Sequence, residues 1–146
     1  MTIRRPILLE SDDRIPAAAV CLKRYYGDPF LSAGAYSGAW FDEWDSTHTR
    51  MSDADRFTAD DLIAIEFLSV QAGPSATRAL LHDVADRFNA LLAEIGEDRD
   101  LADVSEPINK DWPAWRLETA LCSLPGIGLT KATKLIARKR PRLYPI

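Results

Sequence analysis

The chain has 146 residues, 47% of them hydrophobic and 27% charged, with a formal net charge of −4. That length suits one domain around one main core, and the negative balance excludes a protein that coats nucleic acid indiscriminately. No apolar run approaches the roughly 20 residues a membrane helix requires, and "MTIRRPILLESDD" holds no apolar stretch of signal-peptide length, so the expectation is a cytoplasmic protein without a membrane partner.

Along the chain, "PILLE" at 6–10 suits a short extended arm. "IPAAAVCLKRYYG" predicts a helix, with Pro16 in its first turn and Gly27 as its stop. Residues 27–57 form a long aromatic-rich loop carrying Phe30, Tyr36, Trp40, Phe41 and Trp44 among glycines and serines. Five aromatics argue against disorder. Such a loop either plugs the edge of the core or presents Tyr36, Trp40 and Trp44 to a base or a partner. Thr58 followed by Asp61 makes a capping-box start for a helix running to Val70, apolar on most sides.

"PSATRALLHDVADRFNALLAEIG" predicts one amphipathic helix, with Leu80, Val84, Phe88, Leu91, Leu92 and Ile95 on its stripe and Gly96 as its stop. Residues 97–112 are polar and turn-prone, a surface connection. "PAWRLETALCSL" gives a helix with Leu117, Ala120, Leu121 and Leu124 inward, and the last helix runs from Leu129 to Lys139, before Pro141. Nothing alternates at period two. The expected fold is all-α: a compact single domain, 1–146, of about five helices.

Cys21 and Cys122 lack CxxC spacing and read as buried, reduced thiols. His48 and His82 have no ligand-like company, so neither a metal nor a cofactor is expected.

Six of the 18 basic residues crowd into twelve positions: Lys131, Lys134, Arg138, Lys139, Arg140 and Arg142, with no acidic residue among them. Just before them, Pro125-Gly126-Ile127-Gly128 separates two helices. Gly126 and Gly128 can take positive φ and admit close backbone approach, Ile127 can anchor the turn, and the new helix points unpaired N–H groups outward, where a phosphate is favoured. Thr130 and Lys131 lie in its first turn. At 100° per residue Lys131, Lys134 and Arg138 share one stripe, with Leu129, Ala132 and Ile136 roughly opposite. The expected DNA-binding set is therefore Gly126, Ile127, Gly128, Thr130, Lys131, Lys134 and Arg138.

"LPGIGLTKATKLIA" resembles the helix-hairpin-helix motif of the endonuclease-III-type DNA glycosylase superfamily, matching at Leu124, Pro125, Gly126, Gly128, Ala132 and Leu135. The motif segment spans 113–140. The chain as a whole, through "FTADDLIAIEFLSV", "DRDLADV", "DWPAWRLETALCSLPGIG" and "ARKRPRLYPI", is similar to a bacterial domain-of-unknown-function family that carries this hairpin near its C-terminus. The hairpin resemblance implies sequence-independent contact with the DNA backbone. Where bifunctional glycosylases carry a nucleophilic lysine this chain has Thr130, and their essential aspartate would fall past Ile146.

The leading expectation is thus a DNA-backbone-binding protein, glycosylase-like in fold and without base-excision activity. Two alternatives stand beside it. One is a helical protein-interaction module using the basic C-terminus and the aromatic loop. The other is a glycosylase-like enzyme drawing its catalytic acid from Asp42 or Asp45.

Overall fold

The computed structural model describes residues 12–27 and 36–146. The arm expected at 6–10 and Phe30 lie outside the described residues. The chain divides into two compact units, Met1–Trp40 and Phe41–Ile146. Among the described residues every regular element is helical, and no helix is long and apolar enough to cross a membrane.

In the first unit a single turn of 3-10 helix leads into α1 (Ile15–Tyr25), which has Pro16 in its first turn and no buried residue. Tyr25 stacks on Tyr36 with ring centres 5.7 Å apart. Cys21, expected in a core, is exposed. A short α2 (Trp40–Glu43) spans the boundary between the units.

The second unit holds α3 (Ala59–Glu66), α4 (Pro74–Arg78), α5 (Ala85–Glu94), α6 (Pro113–Cys122) and α7 (Leu129–Lys139). The capping box forms as its spacing requires: the Thr58 N–H donates to Asp61 Oδ2 at 2.7 Å. α3 ends four residues earlier than expected, because Ser69 adopts a left-handed conformation, φ +60°, that no helix continues through.

The helix expected over 74–96 is interrupted. Residues Ala79–Asp83 form a π turn, in which the Val84 N–H reaches back to the Ala79 carbonyl at 3.1 Å. The extra residue in that turn advances the apolar stripe. Leu80, Phe88 and Leu92 remain fully buried, whereas Val84 is turned out to 38% exposure. α5 packs on α6, α6 on α7, and α7 on α3, enclosing Ile65, Leu117, Leu121, Leu135 and Ile136. Cys122 is exposed. It follows Leu121 and lies about 100° round the helix from that buried position.

Residues 41–57 have little regular structure, and side chains hold them in place. Phe41 and Phe57 are buried in the core, and Trp44 packs against its edge and tilts onto Phe67 at 5.3 Å. The Asp60 carboxylate accepts from Ser46 Oγ (2.6 Å), Trp44 Nε1 (3.1 Å), and both the N–H and hydroxyl of Thr47 (3.2 Å each). The far end of α7 completes the tie. Lys139 Nζ sits 2.7 Å from Asp61 Oδ2 and donates to the Asp53 carbonyl at 3.1 Å. Arg138 donates to the carbonyls of Phe41, Asp42 and Trp44, with its Nε 3.7 Å from Asp61 Oδ1. Arg140 donates to the carbonyls of Ala54, Leu92 and Gly96 and pairs with Asp55.

Asp61→Ala strips the counter-charge from two buried cations and removes the cap of α3, so it should destabilise the fold by about 3–5 kcal/mol, read from urea midpoints at unchanged slope. A loss under about 1 kcal/mol would show that the carbonyl bonds alone suffice. For Asp60, burial works to raise the pKa, but the bonds from Ser46, Thr47 and Trp44 together outweigh it and hold the carboxyl below its ordinary value. Its contribution is therefore complete above the unfolded carboxyl pKa of about 3.9 and is lost as pH falls through the lower folded value. The stability gap between wild type and Asp60→Asn should be widest near neutrality and close in acid; a gap independent of pH would contradict this.

Candidate nucleic-acid interface

α6 closes at Cys122, and Pro125 blocks its continuation. Gly126 then takes φ +78°, the left-handed conformation that favours glycine. The next residue, Ile127, turns inward and is buried, a contribution of about 1.5–3 kcal/mol to holding the turn. Its N–H closes on the Leu124 carbonyl at 3.1 Å. Gly128 is extended (φ −98°, ψ 179°) and forms the N-cap of α7, where no side chain caps the helix. It does not use the positive φ expected of it. A Cβ at Gly126 or at Gly128 would meet nothing within 4 Å, so the space outside both glycines is open. Both glycines and Thr130 are exposed. The hairpin tip is therefore an open ridge of main chain, with the first N–H groups of α7 unpaired within the helix.

The cations expected beside it are placed differently. Lys131 is half-buried and folds back, its Nζ donating to the Gly126 carbonyl at 2.8 Å. It lines a cleft of about 630 Å³ together with Gly126, Glu66, Ser69 and Gly73. Lys134 is half-buried and donates to the Leu68 carbonyl at 2.9 Å, tying α7 to the end of α3. Arg138 is 2% exposed and held by the carbonyls of Phe41, Asp42 and Trp44 and by the charge of Asp61, while its buried Nε makes no hydrogen bond among the described residues. Burial pushes the Arg138 and Lys139 side chains below their ordinary pKa values, with Asp61 opposing the push. Lys134 and Arg138 thus face the fold rather than solvent, because the carbonyls at the end of α3 and in residues 41–44 lie against that side of α7. At the chain end Arg142 is exposed and paired with Asp100 at 2.7 Å.

The aromatic candidates separate as well. Tyr36, exposed, and Trp40, half-buried, belong to the first unit; Trp44 belongs to the second and is held by Asp60 and Phe67. Asp45 accepts the N–H groups of Thr49 (3.1 Å) and Arg50 (3.3 Å), closing its own turn. The Asp42 carbonyl accepts from Arg50 and Arg138.

Sequence reasoning passed over Trp115 and set Leu129 on the packing stripe of the last helix with Ala132 and Ile136, whereas the structure exposes it. Leu129, 61% exposed, opens α7 beside the hairpin, and Trp115, 45% exposed, stands on α6. A signal for Trp115 was present: it lies off the stripe formed by Leu117, Ala120 and Leu121. No curated protein and no solved structure matches the chain. A family model does match it, over residues 18–146. The chain belongs to that family, a family of unknown function designated DUF6308.

Proposed function

We propose that the protein binds the sugar-phosphate backbone of DNA, without reading its sequence, through the main chain of residues 126–130. The observation that carries this reading is the open ridge at Gly126 and Gly128, exposed and free of any neighbour where a side chain would project, with Ile127 anchored beneath it. Unpaired N–H groups at the start of α7 suit a phosphate oxygen both as donors and through the helix dipole. Thr130 supplies a hydroxyl beside them, and Lys131 supplies an ammonium if it leaves the Gly126 carbonyl. Lys134 and Arg138 are positioning residues for α7 in this reading and touch no phosphate. Base excision draws no support from Asp45, whose carboxylate already serves two backbone N–H groups.

At the hairpin alone, binding should be modest and its salt dependence shallow. With one or two phosphates neutralised, log affinity falls against log salt with a slope of about −1 to −2, measurable by anisotropy of a labelled duplex. Gly128→Asp provides a test that separates binding from folding. Aspartate is among the preferred N-cap residues, and its Cβ has space at Gly128, so α7 should be as stable as before or more so. The added carboxylate nevertheless sits where the phosphate would, and duplex binding should fall at least about tenfold. Undiminished binding by this variant would remove the hairpin as the contact.

A further inference from the structure

A groove of about 670 Å³ between α5 and α6 holds the accessible positive charge that the hairpin lacks. Arg87 and Glu94 line it from α5, Arg116 and Ser123 from α6 and its C-cap, and Lys110 from the connection 97–112. Its charged lining is thus three cations against one carboxylate. Arg116 Nη1 pairs with Glu94 at 2.7 Å, which leaves Arg87 and Lys110 without a counter-ion among the described residues.

Those two stand apart from the other cations of the unit Phe41–Ile146. Every other lysine and arginine there pairs with a carboxylate or donates to a carbonyl. Among the described residues Arg87 and Lys110 do neither: Arg87 only lies over the Phe88 ring at 5.8 Å, and both are exposed. They come from separate elements, yet both line the same groove. Cations gathered on one concave surface focus a positive potential there and attract an anion.

The course of α6 indicates which anion. The helix carries Arg116, is capped by Ser123 and leads straight into the turn at 125–128. From Arg116 to Ser123 is about 10 Å along the axis at ~1.5 Å per residue, close to the rise of three nucleotides on one strand at ~3.4 Å each. The Thr119 and Ser123 hydroxyls, also in the lining, donate to the carbonyls of Trp115 and Ala120. Contacts in the groove are therefore ionic, of the kind that hold a backbone and read no bases. We infer that the α5–α6 groove is a second phosphate track, in which Arg87, Lys110 and Arg116 hold the DNA backbone beyond the hairpin. The inference rests on the reading of the hairpin as a DNA contact, and it adds the long-range attraction that amide donors do not supply.

The test uses a labelled duplex of about 20 base pairs, roughly two helical turns. The wild-type slope of log affinity against log salt should be steeper by about 2 than the hairpin's own value of about −1 to −2, at about 0.9 for each cation engaged. Arg87→Gln with Lys110→Gln should restore the hairpin's slope and weaken binding at least about tenfold near ~0.1 M salt. Both side chains are exposed, so the helical circular dichroism should not change. Arg56→Gln with Arg78→Gln removes the same charge from residues outside the groove and should leave the slope as it was. An unchanged slope in the first pair, or equal losses in both pairs, would overturn the inference and leave the hairpin reading standing. Displacement of the duplex by equimolar inorganic tripolyphosphate would also overturn it, by marking a small-anion site. Undiminished binding by Gly128→Asp, with loss in Arg87→Gln and Lys110→Gln, would instead sink the hairpin reading and leave the groove as the contact. No binding of duplex by the wild-type chain would overturn both.

Discussion

Three consecutive cations in the interior need three sets of partners, and much of the larger unit is arranged around that need. Arg138, Lys139 and Arg140 leave the end of α7 in different directions, as successive helical positions must. Among the described residues only Asp61 is a buried counter-ion to them. Main-chain carbonyls of residues 41–54 and of the α5 terminus supply most of the rest. A guanidinium offers five donors in a fixed fork, which suits a segment whose carbonyls have no strand or helix to pair them. The irregular segment and the basic helix end therefore require each other: the cations would be costly to bury without the carbonyls, and the carbonyls would go unpaired without the cations.

This mutual dependence changes the electrostatic meaning of the C-terminus. Counted along the chain, 131–142 is the one strongly positive region of an acidic protein. In the fold Arg138, Lys139 and Arg140 are buried, Lys134 is tied to α3, and Arg142 is paired with Asp100. The positive charge serves cohesion, and little of it is presented at the surface. Any contact between the hairpin and a phosphate then rests on backbone amides and the α7 dipole, with Lys131 as the nearest ammonium. Local amide donors act within the first helical turn and carry no long-range attraction.

Much of the architecture was legible in the sequence because its signals are local. The Thr58–Asp61 box, Pro16 and Pro113 in first turns, and the stops at Gly27 and Gly96 each depend on neighbouring residues and appear where the spacing puts them. The π turn at 79–83 was not legible, since the stripe of Leu80, Phe88 and Leu92 reads equally well with or without one extra residue. Neither was the fate of Arg138. Periodicity assigns Lys131, Lys134 and Arg138 to one face and is silent on what that face meets. The carbonyls that meet Arg138 lie more than ninety residues away in sequence. The turn at 125–128 was legible because a turn is local; what the basic stripe meets was not, because its partners are distant.

Leu129 opens α7 directly after Gly128 and lines a groove with Trp112, Trp115 and Tyr144, so the exposed turn is followed at once by an apolar side chain. In the proposed reading the turn therefore meets a phosphate through short-range amide donors, because most cations of the same helix are used to hold the chain together.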